Sequence, residues 1–130
     1  MILIDTDVCV EILRGDIEVL DRLRSSNEMA AISFMTVGEL YFGALKSARP
    51  EHNQQKTDAF IQALHVIDSD HMIMMKFGQL KSDLSKAGRP LPDADVLIAA
   101  VSLIHCTKLV TGNTSHFARI SELRVENWLG

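Results

Sequence analysis

Cysteine is scarce in this chain: only Cys9 and Cys106 occur in 130 residues, both in apolar stretches and without Cys-x-x-Cys spacing. That argues against a disulfide framework and predicts reduced, packed thiols of a cytoplasmic protein. Long apolar runs are missing too. The longest, Val96–Val101, falls far short of the ~20 residues that span a bilayer, so no membrane attachment is expected. The opening Met-Ile-Leu-Ile meets an acid at Asp5, which predicts no secretory signal. Nor is there a basic surplus, since 17 acids face 13 bases for a formal charge of −4. Proteins that grip nucleic acid by neutralising many phosphates carry such a surplus. Any activity on nucleic acid here therefore needs a local basic rim around an acidic centre. No repeat, low-complexity tract or linker divides the chain.

What is present is an ordinary globular composition, 47% hydrophobic and 23% charged, neither disordered nor collagen-like. The length predicts a single domain over residues 1–130, able to bury about two-thirds of its unfolded surface without staples. Met1–Asp5 and Met29–Ser33 have the short apolar form of buried strands; His65–Ile67, Lys108–Thr111 and Arg124–Trp128 are further strand candidates. Helical spacing runs through Asp16–Arg24, Thr36–Ala48, the stretch from Pro50 to Leu64, and Ser69–Ala87 with Gly88 as its stop. Pro92–Cys106 is apolar nearly all round and predicts a buried helix, and Ser115–Ile120 a short turn or helix. Strands alternating with helices imply an α/β fold, a central parallel sheet of about four to five strands flanked by helices. Ligands of such sheets sit beyond the carboxyl ends of the strands. That rule picks out Asp5, the turn after Ser33, and Thr111–His116.

Three acids stand where surface charge is not expected. Asp5 ends the first strand, where a carboxylate is costly unless paired, bonded or bound to a cation; the plain alternative is that Asp5 or Asp7 caps a following helix. Glu39 falls three residues after Thr36, as a capping box requires, with Met35 and Leu40 placed as its staple. A cap at Ser33 would instead leave Glu39 free in the second turn. Asp95 shares a stripe with Ile98, Ala99 and Ser102 in the buried helix, so its charge is aimed at protein or a cleft. The helix dipole favours an anion there by only ~0.3–1 kcal/mol, less than burial of an ion costs. Asp93 reads as the N-cap after Pro92. Convergence of Asp5, Glu39 and Asp95 would crowd like charges, which a cation relieves. Oxygen ligands select Mg2+ or Mn2+ over zinc.

The runs Ile-Asp-Thr-Asp-Val (Ile4–Val8), Gly-Glu-Leu-Tyr-Phe-Gly (Gly38–Gly43), Pro-Asp-Ala-Asp-Val-Leu-Ile-Ala-Ala (Pro92–Ala100) and Leu-Val-Thr-Gly-Asn-Thr-Ser-His-Phe (Leu109–Phe117) together resemble PIN-domain ribonucleases. The ending Leu-Arg-Val-Glu-Asn-Trp (Leu123–Trp128) is similar to the closing strand of the VapC toxins of that family. The resemblance spans essentially the whole chain, with the motifs in order. It implies a PIN-like fold and a Mg2+- or Mn2+-dependent endoribonuclease, the toxin of a type II toxin–antitoxin pair. It also implies a homodimer with a VapB-like antitoxin as partner and RNA as substrate. Asp5, Glu39 and Asp95 map onto the family's acids, with Asp5 and Asp95 as metal ligands and Thr6 and Asn113 as supporting polar residues. The implied reaction is in-line attack of metal-activated water on a phosphodiester, leaving 5′-phosphate and 3′-hydroxyl ends. Two positions depart from the pattern. The family's fourth acid falls on His116, which supplies no negative charge when neutral, and its usual Asn falls on Asp7, which adds one.

Arg14, Lys46 and Arg89 lie near the acidic motifs in sequence and are candidates for steering an RNA backbone; a solvated charged face is the alternative for each. His52, His65, His71 and His105 lack ligand spacing, and Met72, Met74 and Met75 suit packing or a partner groove. Two other functions start from the same residues. With His116 in place of an acid, the chain would be a degenerate PIN scaffold that binds RNA or a protein without cutting. Asp-Thr-Asp-Val after a strand also resembles the haloacid-dehalogenase-like phosphatases, in which Asp5 would be the nucleophile and Asp7 the general acid.

Overall fold

Ile2, Leu3 and Ile4 are apolar without a break because β1 (Ile2–Ile4) runs through the middle of a sheet covered on both faces. The computed structural model describes residues 1–130. After β1 come α1 (Thr6–Leu13), α2 (Ile17–Ser25), β2 (Ala30–Ser33), α3 (Phe34–Leu45), α4 (Pro50–Gln62) and β3 (His65–Ile67). The chain continues through α5 (His71–Lys86), α6 (Asp93–His105), β4 (Leu109–Val110), α7 (Thr114–Phe117) and β5 (Val125–Glu126). All five strands are parallel, in the order β3-β2-β1-β4-β5. The α/β architecture expected from the sequence is therefore present, with seven helices around the sheet.

Register divides the strand residues between two layers. Leu3 pairs with Ala31 and Leu109, and these three face the cluster built by Ile73, Leu80 and Leu84 of α5 and Ile98, Ala99 and Val101 of α6. Ile2, Ile4, Ile32 and Val110 point the other way, onto Val8 and Cys9 of α1, Val19 of α2 and Trp128. Cys9 and Cys106 are both free thiols. No helix is long and apolar enough to cross a membrane.

Side-chain caps start α1, α2, α3 and α5. Asp16 accepts a hydrogen bond from the Val19 N–H, Asp70 from Ile73 and Ser33 from Thr36. Pro50 opens α4 and Gly88, at φ +66°, follows the end of α5. Helix α6 buries Val96, Ile98, Ala99, Ala100, Val101 and Ser102, as its all-round apolar sequence predicts.

Several expectations need correction. Helix α1 fills a stretch assigned no element of its own, because Val8, Cys9, Val10, Ile12 and Leu13 are apolar almost continuously and hide the helical period. Helix α3 begins at Phe34 under the Ser33 cap, so Thr36 and Glu39 do not form a capping box. Asp93 is not an N-cap: Pro92 holds that position without a side-chain bond, and exposed Asp93 pairs with Lys81 at 3.0 Å. Strands β4 and β5 hold two residues each, shorter than the runs that suggested them.

Candidate active site

The Asp5 backbone N–H still bonds the Val110 carbonyl, so the chain stays in register with β4 for one residue beyond β1 and sets Asp5 beside Thr111. Asp5 is only 6% exposed. Its Oδ1 accepts from the Thr6 N–H at 2.8 Å, capping α1, and its Oδ2 accepts from the Thr111 hydroxyl at 2.7 Å. The capping and buried-strand-end readings of Asp5 thus describe one geometry. Burial, with the negative charges of Asp7 and Asp95 behind it, pushes the Asp5 carboxyl up to about 7, against the downward pull of the Thr111 and Thr6 bonds.

Asp7 does different work. Its Oδ1 accepts from the Val8 N–H at 2.8 Å and lies 3.4 Å from the Thr111 hydroxyl, whose one proton goes to Asp5, and its Oδ2 accepts from the Gly112 N–H at 2.9 Å. Oδ2 fastens α1 to the turn after β4 while Oδ1 is held inside the first turn of α1, and burial raises the Asp7 pKa. A Cβ on Gly112 would lie 3.0 Å from Asp7 Oδ2 and 2.6 Å from Leu129 Cδ1, so the glycine is what lets this turn close. Engaged in this way, Asp7 is poorly suited to the proton-donor role of a dehalogenase-like phosphatase.

Glu39 lies in the second turn of α3, and its Oε1 accepts from the Thr6 hydroxyl at 2.7 Å. The Thr6 hydroxyl is also 3.0 Å from that of Thr36. On α6, Asp95 sits in the first turn, where the helix dipole favours it, and its side chain is 21% exposed. Asp95 Oδ2 is 3.4 Å from His116 Nδ1, and Asn113 Nδ2 is 2.9 Å from the same nitrogen. His116 therefore stands beside Asp95. No three histidine, cysteine or acidic side chains stand close enough to cage an ion by themselves.

Thr6 and Glu39 line a cleft of about 540 Å³ walled by α1, α3 and α4. Arg14, Lys46 and Lys56 also line it, while of the three acids only Glu39 does; Arg14 pairs with Glu11 and Lys56 donates to the Leu13 carbonyl. Phe42, 66% exposed, stands at the cleft with Lys46 Nζ 5.0 Å from its ring centre. Arg89 is elsewhere, in a separate hollow with Arg119, Asp83 and Glu122. The sequence marks Thr111 only as a strand end and Thr36 only as a cap, not as partners of Asp5 and Thr6, and nothing local distinguishes Lys56 from other helical lysines.

Residues 2–123 match the PIN domain, and the chain belongs to that family. Within it, the similarity is to VapC proteins. Ribonuclease VapC2 of Haemophilus influenzae is 34% identical over 128 residues, covering 98% of this chain and 97% of that protein. The tRNA(fMet)-specific endonuclease VapC of Shigella flexneri is 32% identical over 127 residues, covering 97% and 96%. Among solved structures, VapBC2 from Rickettsia felis bound to a DNA fragment from its promoter superposes with a TM-score of 0.90 at 32% identity, covering 98% of this chain and 99% of that one.

Proposed function

We propose that the protein is a divalent-metal-dependent endoribonuclease of the cytoplasm, the toxin of a type II pair held in check by a VapB-like antitoxin. The observation that carries this reading is the arrangement of Asp5, Glu39 and Asp95. Three sequence-distant segments deliver these acids to one end of the sheet, where burial first, then the charges of Asp7 and Asp95, raise the Asp5 carboxyl to about 7. The names of the relatives support RNA as substrate and VapBC assemblies support an antitoxin partner.

The donor set suits a hard cation. Asp5 and Asp95 offer only oxygen, and Mg2+ is bound through one or two carboxylates with water rather than by an all-protein cage. Asp5 and Asp95 would hold the ion, which when bound supplies Lewis acidity toward a phosphodiester and toward water. The rest falls to the chain itself. Thr111 and the Thr6 N–H fix both oxygens of Asp5, and His116 can donate to Asp95 only when its Nδ1 carries the proton, in which case it no longer accepts from Asn113. Glu39 presents its second oxygen, Oε2, which accepts no bond from the protein, at the cleft wall. Arg14, Lys46 and Lys56 offset backbone phosphates along the cleft. Exposed Phe42, Leu45, Met72, Met74 and Met75 supply apolar surface for the antitoxin and a second copy of the chain.

Mapping RNA ends after brief induction tests the reading, with tRNA(fMet), the substrate in the Shigella flexneri relative's name, as the first purified probe. Wild type is expected to leave new 5′-phosphate ends, and folded Asp95→Ala to leave none. Undiminished cleavage by Asp95→Ala overturns the mechanism. Growth arrest that persists in Asp5→Ala without cleavage favours the degenerate scaffold, the reading that His116 motivates.

A further inference from the structure

Three hydroxyls link the start of α3 to the start of α1, and their hydrogen bonds run in one direction. Ser33 Oγ accepts the Thr36 N–H at 3.1 Å and donates to Thr36 Oγ1 at 3.3 Å. Thr6 gives its only hydroxyl proton to Glu39 Oε1 at 2.7 Å, so in the 3.0 Å contact between the two threonines Thr36 must be the donor. The order is therefore Ser33 to Thr36 to Thr6 to Glu39. Ser33 and Thr36 are 0% exposed, which keeps water from replacing either link, and chained hydroxyls polarise one another in a low-dielectric setting. A helix cap needs only the Ser33 bond to the Thr36 N–H. The Thr36 side chain is not required for that cap, yet it is aimed at α1, across 30 residues of sequence.

We infer that Thr36 is a positioning residue that acts through Thr6 to fix Glu39 at the cleft wall, so that Oε1 is anchored and Oε2 remains free for the reaction. The inference rests on the ribonuclease reading above. Displacing a reacting group by an ångström costs up to about a hundredfold in rate, whereas the cleft-lining cations Arg14, Lys46 and Lys56, proposed above to bind RNA, are untouched by this chain of bonds. The loss is therefore expected in kcat and not in KM.

The test is a double-mutant cycle on full-length protein, with the same RNA probe and thermal melts by circular dichroism. Thr36→Val, near-isosteric, is expected to lower kcat about tenfold with KM within about twofold, and Thr36→Ser to recover most of that loss. In a Thr6→Val background, Thr36→Val is expected to cost nothing further in kcat, because the path to Glu39 is already cut. Should Thr36→Val fail to fold, Thr36→Ala, which also removes the hydroxyl, carries the same cycle. A folded Thr36→Val with wild-type kcat, or an equal loss with and without the Thr6 hydroxyl, overturns the inference while leaving the ribonuclease reading standing. Wild type that cleaves no RNA overturns both.

Discussion

Replacing Asp5 with Asn should make the metal-free protein more stable at neutral pH, although it removes a residue at the centre of the site. The folded carboxyl takes up a proton near pH 7, the unfolded one near 3.8. Between those values the folded chain holds more protons than the unfolded, so stability falls as pH rises. The contribution is fully present below the unfolded value and is lost as pH climbs through about 7. At about 1.36 kcal/mol per pH unit, the gap amounts to roughly 4 kcal/mol at pH 8. Asn keeps the volume and an oxygen for the Thr6 N–H. Its amide would face the Thr111 hydroxyl, which can turn its proton to Asp7 Oδ1, 3.4 Å away.

Urea unfolding of chelated protein, followed by circular dichroism from pH 4.5 to 8, measures the effect. Wild type and Asp5→Asn should nearly coincide at the acid end and diverge with rising pH, the variant gaining several kcal/mol. Adding Mn2+ at pH 8 should then stabilise wild type in proportion to ion occupancy and leave Asp5→Asn unmoved. Parallel pH profiles for the two proteins would refute the account of Asp5 as a carboxylate left short of positive charge. A strong Mn2+ response in the variant would refute its role as ligand.

Two further outcomes follow from the geometry. Gly112→Ala sets a methyl 3.0 Å from Asp7 Oδ2; Leu129 can give way but Asp7 is pinned, so a loss of about 1–2 kcal/mol and weaker cleavage are expected, read by melting and by RNA assay. Arg14→Glu with Lys46→Glu should weaken RNA binding in an Asp95→Ala background and flatten its salt dependence by about one in slope for each phosphate no longer neutralised, measured by fluorescence anisotropy over an ionic-strength series.

The parts of the fold legible in the sequence are those where one cause dominates. Ile2–Ile4 and the middle of α6, Ile98–Ser102, are buried, so an unbroken apolar run states their environment directly. Asp70 and Asp16 announce helices because a cap is a local bond three residues long. Helix α1 is hard to see for the same physical reason: with strand residues before it and apolar residues on most of its turns, its period is erased. Asp5 and Asp95 stand out because a charge set in apolar surroundings needs an explanation that water does not give.

The partners that hold those acids are invisible in the sequence because their bonds are non-local. Thr111 meets Asp5 across 106 residues and Thr36 meets Thr6 across 30, and a hydroxyl leaves no periodic trace in sequence. Glu39 shows the difference most sharply. Spacing alone offers Thr36 as its capping partner, and the folded chain does connect the two residues, but through Thr6 on another helix rather than through the α3 backbone. The cap passes instead to Ser33, and that one-turn shift is what releases the Glu39 carboxylate from the helix end and turns it to the cleft.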